Sequence, residues 1–189
     1  CALYIVLVIA AMTTIINWFM GGQVWNMMFI IDSISISVTV ISIAAALFCA
    51  FLWKTAIFRG WLVRIPNLNG NWIGFIESDW IDPKTTEKIA LIDTELIIRQ
   101  SLFNISCIMK TGEMRSESIS ANINIDADNQ KYQLVYIYIS IPKQNIQAGS
   151  PIHYGTMMFD LEDNFKIYKM QGNYWTGRKT GGYISVKKK

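Results

Sequence analysis

The sequence is poor in the residues on which most soluble chemistry depends. It has one histidine, His153, so metal sites built on paired imidazoles are excluded, and Ser-His-Asp or Cys-His catalysis would have to run through that residue alone. Its three cysteines, Cys1, Cys49 and Cys107, stand far apart with no C-x-x-C spacing, which indicates neither a disulfide framework nor a zinc site. Basic charge is scarce too. Seventeen Lys+Arg stand against fourteen Asp+Glu, and the only lysine run, Lys187 to Lys189, reads as a solvated tail, so clustered charge for duplex nucleic acid is missing. The neighbouring carboxylates Glu77 and Asp79, and Glu162 and Asp163, sit beside turns and read as solvated charge. Together these absences disfavour an enzyme.

The most local absence is charge in the first segment: residues 1–53 carry a single charged residue, Asp32, whereas residues 66–189 carry fourteen Lys/Arg and thirteen Asp/Glu. The uncharged run Ala2 to Met20 matches the roughly 20 residues that cross a bilayer. A secretory signal would be shorter and end in a small-residue cleavage motif, and a lipoprotein starting at Cys1 would continue into a polar linker. Instead Gly21, Gly22 and Gln23 break the helix, and a second span follows over about Phe29 to Trp53, with Trp25 and Trp53 placed as interfacial aromatics. The alternation of Ser33, Ser35, Ser37, Thr39 and Ser42 with Ile and Val would fit a strand, but bilayer length favours a helix with small-xxx-small pairs suited to close packing. Lys54, Arg59 and Arg64 all follow the second span and none lies between the spans, which places both termini in the cytoplasm. A start at Cys1 rather than Met indicates that a few native residues are missing.

After Pro66 the period changes to two. Alternating runs near Gly70–Glu77, Ala90–Phe103, Ile105–Lys110, Ser116–Ile125, Tyr132–Ile141, Ile152–Leu161, Phe165–Thr176 and Gly182–Val186 predict about eight strands, separated by Asp82-Pro83, Thr111-Gly112, Asp126 to Asn129, Pro142, Gly149-Ser150-Pro151, Glu162 to Asn164 and Gly177 to Gly182. Such a meander closes most naturally into a small antiparallel barrel, with a sandwich as the alternative. The expected organisation is therefore a two-helix transmembrane hairpin over 1–53, a basic juxtamembrane linker over 54–65 and a cytoplasmic eight-stranded antiparallel β-barrel over 66–189.

Within that domain, Leu134, Tyr136 and Tyr138 share one face of a strand while Val135, Ile137 and Ile139 share the other, and both faces are apolar, so either could point inward. His153 beside Tyr154 fits a hydrogen-bonded structural residue better than a base. The segment Gly172 to Gly182 concentrates chemistry: Arg178 suits a two-pronged phosphate contact, Thr176 and Thr180 can donate to phosphate oxygens, and Tyr174 offers a stacking face. The same composition also makes an ordinary glycine-rich hairpin.

The order of membrane hairpin, Leu68-Asn-Gly-Asn-Trp72-Ile-Gly74, Leu134-x-Tyr136-x-Tyr138, His153-x-Gly155-Thr156 and Gly172-x-Tyr174-x-Thr176-x-Arg178-x-Thr180-x-Gly182 resembles the two-transmembrane, β-strand-rich effectors of bacterial cyclic-oligonucleotide antiphage signalling (CBASS), also called CD-NTase-associated protein fifteen. The resemblance implies a non-enzymatic receptor whose barrel takes a cyclic dinucleotide from a partner CD-NTase. It further implies homo-oligomerisation on activation, disruption of the bacterial inner membrane by the helices, and abortive infection. No other cofactor or metal is implied. On this chain the matching positions for ligand contact are Trp72, Tyr136, Tyr138, His153, Thr156, Tyr174, Thr176, Arg178 and Thr180. A membrane-tethered lipocalin-like carrier of an apolar small molecule is the competing function, and a membrane-bound hydrolase is disfavoured.

Overall fold

The computed structural model describes residues 10–12, 14–15, 18–19, 27–58, 61–83, 85–126, 128, 131–147, 149–161 and 167–189. The chain divides into two compact units, Cys1–Thr55 and Ala56–Lys189.

In the first unit, helix α1 runs over Met27–Ala50. The serines and threonine that would alternate in a strand are absorbed by helical geometry, with the Thr39 hydroxyl donating to the Ser35 carbonyl one turn back at 2.9 Å. Ser37 is buried, whereas Ile36, Val38, Val40, Ile43 and Leu47 are exposed. The described side chains of α1 are Asp32 and residues 35–50. Among the described residues no helix is long and apolar enough to cross a membrane. The span expected at Ala2–Met20 and the break at Gly21–Gln23 lie mostly outside the described residues; 10–12, 14, 15, 18 and 19 are described, as helix.

The second unit is the expected barrel. Its strands are β1 (Gly70–Ser78), β2 (Ile92–Gln100), β3 (Ile105–Thr111), β4 (Met114–Asp126), β5 (Lys131–Pro142), β6 (His153–Leu161), β7 (Lys169–Thr176) and β8 (Gly181–Lys188), each paired antiparallel with its sequence neighbours, and β1 with β8 closes the ring. Closure disposes of the sandwich alternative. Strand ends depart from the alternation pattern where side chains make turns. β2 stops at Gln100 because Ser101 and Asn104 bond each other, the Ser101 amide to the Asn104 carbonyl at 2.8 Å and the Asn104 amide to the Ser101 hydroxyl at 3.0 Å. β4 starts early, at Met114, whose amide donates to Thr111 Oγ1 at 3.0 Å. β7 begins at Lys169, and the expected start at Phe165 lies outside the described residues. Between Ser118 and Ser120 the register shifts, leaving Ile119 exposed on the outside.

Strand alternation sends Trp72, Leu96, Ile98, Leu134, Phe159, Met170, Ile184 and Val186 into a close-packed interior. The two ends of this interior differ in chemistry. At the end holding the start of β1, Trp72 is fully buried and its indole donates to the Leu68 carbonyl at 3.0 Å. Gln100 ties down the incoming chain there, accepting from the Leu68 amide at 2.7 Å and donating to the Pro66 carbonyl at 3.0 Å. We call this the plugged end. At the other end the inward positions become polar, and we call it the mouth.

Candidate functional site

The mouth is built from the ends of several strands. Register brings Thr176, Gly155 and Tyr138 into one cross-strand row, and Ser78, Gly182 and Tyr174 into the next. Ser78, Thr94 and Ser140 are buried there, and Ser116 is half-buried. Their hydroxyls are engaged. Ser116 Oγ donates to Ser140 Oγ at 3.0 Å, Thr94 Oγ1 to the Lys110 carbonyl at 3.1 Å, and Ser118 Oγ accepts from the Cys107 amide at 2.9 Å.

Two tyrosine rings lie across this polar end, each facing a glycine on the neighbouring strand, Tyr138 opposite Gly155 of β6 and Tyr174 opposite Gly182 of β8. A Cβ on Gly155 would fall on the Tyr138 ring, and one on Gly182 would come within 2.8 Å of Tyr174 Cε1. Burial dominates in pushing the Tyr138 phenol well above its usual range, with Tyr174 adding to it. Tyr174 is raised chiefly by burial and further by the Asp79 carboxylate, against a hydrogen bond from Ser78 that lowers it. Below them, Tyr136 packs 6.0 Å from Tyr138 and 6.4 Å from Phe159, measured between ring centres. Its hydroxyl is buried without a hydrogen-bond partner among the described residues. Burial again, with Cys107 and Tyr138 second and third, raises its pKa strongly, so the phenol stays protonated.

The β7–β8 turn forms one rim of the mouth. Thr176 organises it: its Oγ1 lies 2.7 Å from Thr180 Oγ1 and accepts from the Arg178 amide at 3.2 Å, while its own amide donates to the Thr180 carbonyl at 2.9 Å. Arg178 reaches across to the β5–β6 loop, Nη1 donating to Ser150 Oγ at 2.6 Å, which leaves other guanidinium N–H groups for an anion. His153, partly exposed at the same end, donates from Nδ1 to the Pro151 carbonyl at 3.0 Å, since a carbonyl can only accept.

Of the nine positions singled out from the sequence, Tyr138, Tyr174, Thr176, Arg178, Thr180 and His153 therefore meet at the mouth, with Tyr136 directly beneath. Two do not join them. Trp72 sits at the plugged end, where the Lys188 ammonium lies 5.4 Å from its ring centre, and Thr156 is on the outer face between Ile137 and Trp175. The strand facing left open by the sequence is settled: Tyr136 and Tyr138 point inward, and Ile137 is half exposed outside. Ser78, Thr94, Ser116 and Ser140 were not singled out, because an apolar-in, polar-out reading hides inward hydroxyls. Alternation of Ser116 and Ser118 with Arg115 and Glu117 carries the usable signal.

Surface grooves lie elsewhere. The larger, about 570 Å³ along the outside of β1 to β3, sets Lys110 and Lys187 against Asp93 and Glu95, so it offers an anion no net positive field. The other, about 330 Å³, is lined by Asp160, Lys169, Gln171, Asn173 and Tyr183. Neither groove includes any of the nine singled-out residues. No group of three or more metal-ligating side chains occurs among the described residues.

A closed antiparallel barrel with a polar, aromatic-lined mouth is a ligand-receptor architecture. Residues 63–188 match the family described as Cap15, cyclic dinucleotide receptor domain, and the chain belongs to that family. It is similar to a CD-NTase-associated protein 15 of Staphylococcus schleiferi, 29% identical over 158 residues, covering 84% of this chain and 80% of that protein. A CD-NTase-associated protein 15 of Escherichia albertii is 26% identical over 167 residues, covering 84% and 81% respectively.

Proposed function

We propose that this protein is a membrane-anchored antiphage effector of the CBASS type, whose barrel senses a cyclic dinucleotide from a partner CD-NTase and whose N-terminal helices, assembled with those of other copies, disrupt the bacterial inner membrane. The observation that carries the receptor half is the convergence of Tyr138, Tyr174, Thr176, Thr180 and Arg178 on one end of the barrel. Aromatic faces stack bases at about 1 to 3 kcal/mol each, and a guanidinium with hydroxyl donors suits phosphate. The membrane half is supported by the single charge in residues 1–53 and by the exposed apolar side chains on both sides of α1, Ile36, Val40, Ile43 and Leu47 on one and Val38 on the other, a surface that water disfavours and lipid accepts. Its activity is binding and assembly rather than catalysis. A two-helix hairpin encloses no aqueous path, so several copies are required. Driving them from about 1% to 99% assembled takes roughly 5.5 kcal/mol of differential ligand binding.

The test uses the full chain reconstituted in lipid vesicles. Titration calorimetry with a panel of cyclic dinucleotides is expected to find a binder that also releases an entrapped dye. Arg178→Ala is expected to weaken that binder about tenfold to a hundredfold, while Lys189→Ala leaves it unchanged. Failure of every cyclic dinucleotide to bind overturns the receptor reading. Binding without dye release overturns the membrane half alone.

A further inference from the structure

The outer face of the barrel is not uniform. Over β2 and β3 it carries Asp93, Glu95, Arg99 and Lys110, as a surface standing in water does. The adjoining lengths Val135–Ile141, Tyr154–Met158 and Asn173–Thr176 of β5, β6 and β7 contain no charged residue. One cross-strand row there runs Ser120, Ile137, Thr156 and Trp175; Ile139 pairs with Tyr154 on one side of it and Val135 with Met158 on the other. Alternation turns these residues outward, because Tyr136, Tyr138, Met157 and Tyr174 take the inward positions between them. Ile119, left outside by the β4 register shift, and Ile141 extend the patch.

Size and charge indicate what covers such a face. Ile119, Ile137, Ile141, Tyr154 and Trp175 are each 41 to 61% exposed. With its half-buried members the face presents on the order of 600 Å² of mostly apolar surface, the top of what a lone domain usually shows and near the roughly 800 Å² that one partner gives to a stable interface. Tyr and Trp are also the side chains that most often anchor such contacts. At its β4 edge, Arg115 and Glu117 neutralise each other, Nε to Oε1 at 2.6 Å, and the cations beyond its other edge, Arg178 and Lys179, belong to the β7–β8 turn. In a two-fold contact a patch meets itself, so any unpaired charge within it would meet its like. This face has none. An anionic bilayer or an acidic partner would instead call for lysine or arginine within the face.

We propose that the outer face of β5 to β7 is where the barrels of two copies meet, in a two-fold contact with Thr156 near its axis, so that the ligand-free protein rests as a pair. The inference rests on the assembly reading above and adds to it the surface that makes the pair, leaving helix contacts to join pairs into larger groups. The same strands line the mouth from within, so a ligand held by one copy bears on strands that the other touches. The test is thiol cross-linking of the ligand-free full chain in lipid vesicles, with Cys1 and Cys49 replaced by serine and one thiol added at a time. Thr156→Cys is expected to give a dimer with a short bis-maleimide, because a residue beside a two-fold axis meets its own copy, and Ile73→Cys, on the outside of β1, about tenfold less. A second readout is sedimentation of the full chain in detergent. Ile137→Glu, which sets a carboxylate from each copy into one apolar contact, is expected to weaken self-association roughly a hundredfold at an unchanged thermal midpoint, while Ile137→Val changes it less than about threefold. No dimer from Thr156→Cys, equal or greater yield from Ile73→Cys, or self-association that survives Ile137→Glu overturns the inference and assigns the face to another occupant, the bilayer surface among them. Ligand binding and dye release by the wild type would then still support the effector reading. If both of those fail while Thr156→Cys cross-links, the pair stands and the effector reading falls.

Discussion

Replacing Tyr136 with phenylalanine removes one oxygen from the middle of the barrel, and the expected result is a protein that is more stable and a poorer receptor. The hydroxyl is buried with no partner, under Tyr138 and beside Phe159. An unsatisfied buried hydroxyl costs about 1 to 3 kcal/mol, and the small void left by its removal returns only part of that, so a net gain of about 1 kcal/mol is expected. For a unit of this size that is a rise of roughly 3 to 5 °C in thermal midpoint. A bound ligand that reaches past Tyr138 would give the hydroxyl its missing partner, so the same substitution is expected to weaken binding by about fivefold to tenfold. Midpoints come from circular dichroism with and without ligand, and affinities from calorimetry. The signature is the opposition of the two changes. A lowered midpoint with unchanged affinity would mean that the hydroxyl is satisfied in the ligand-free protein, and the reasoning would be refuted.

Other substitutions probe the same frame. Gly155→Ala places a methyl on the Tyr138 ring and 2.7 Å from the Trp175 carbonyl, so it is expected to lower the midpoint by several degrees and to alter near-ultraviolet tyrosine dichroism; an unchanged spectrum would contradict the packing. Gln100→Ala orphans the Leu68 amide and the Pro66 carbonyl at the plugged end, and a loss of roughly 2 to 4 kcal/mol in denaturant titration is expected with ligand affinity intact; reduced affinity at full occupancy of the folded state would show that the two ends are coupled. Burial raises the Cys107 thiol from 9.0 to about 12, and because the folded value is the higher one, stability is full below about pH 9 and declines as pH rises toward 12. Thermal midpoints measured from pH 8 to 11 should fall, less steeply in Cys107→Ala, and the native thiol should resist alkylation at neutral pH; rapid labelling of Cys107 in the folded protein would contradict its burial.

The fold was largely legible in the sequence because period-two alternation is a local property, and Tyr132 to Ile141 or Ile152 to Leu161 needs no distant partner to be read as a strand. Local turn chemistry was harder: Phe103 continues the apolar run of β2, yet the Ser101–Asn104 hydrogen bonds end the strand at Gln100. The site was legible where residue types are unusual, as in Tyr174 to Thr180. It was illegible where it depends on which face of a strand turns inward. Trp72 and Tyr138 look alike as buried aromatics in alternating strands, and only register assigns one to the plugged end and the other to the mouth. Thr156 differs from its neighbour Gly155 by the pleat alone.

The closure of β1 against β8 bears on how the protein is made. Seven of the eight strand pairings join strands adjacent in sequence, so each can form as soon as its second strand has left the ribosome. The eighth joins the first strand to the last, and β1 waits through the synthesis of more than a hundred residues with one edge bare. Nascent chains interrupted before Gly181 would expose two unpaired edges, on β1 and β7, and would lack half of the row that cradles Tyr174. Receptor competence therefore arrives only with translation of the final strand, and prematurely terminated products are candidates for aggregation and proteolysis rather than for partial signalling.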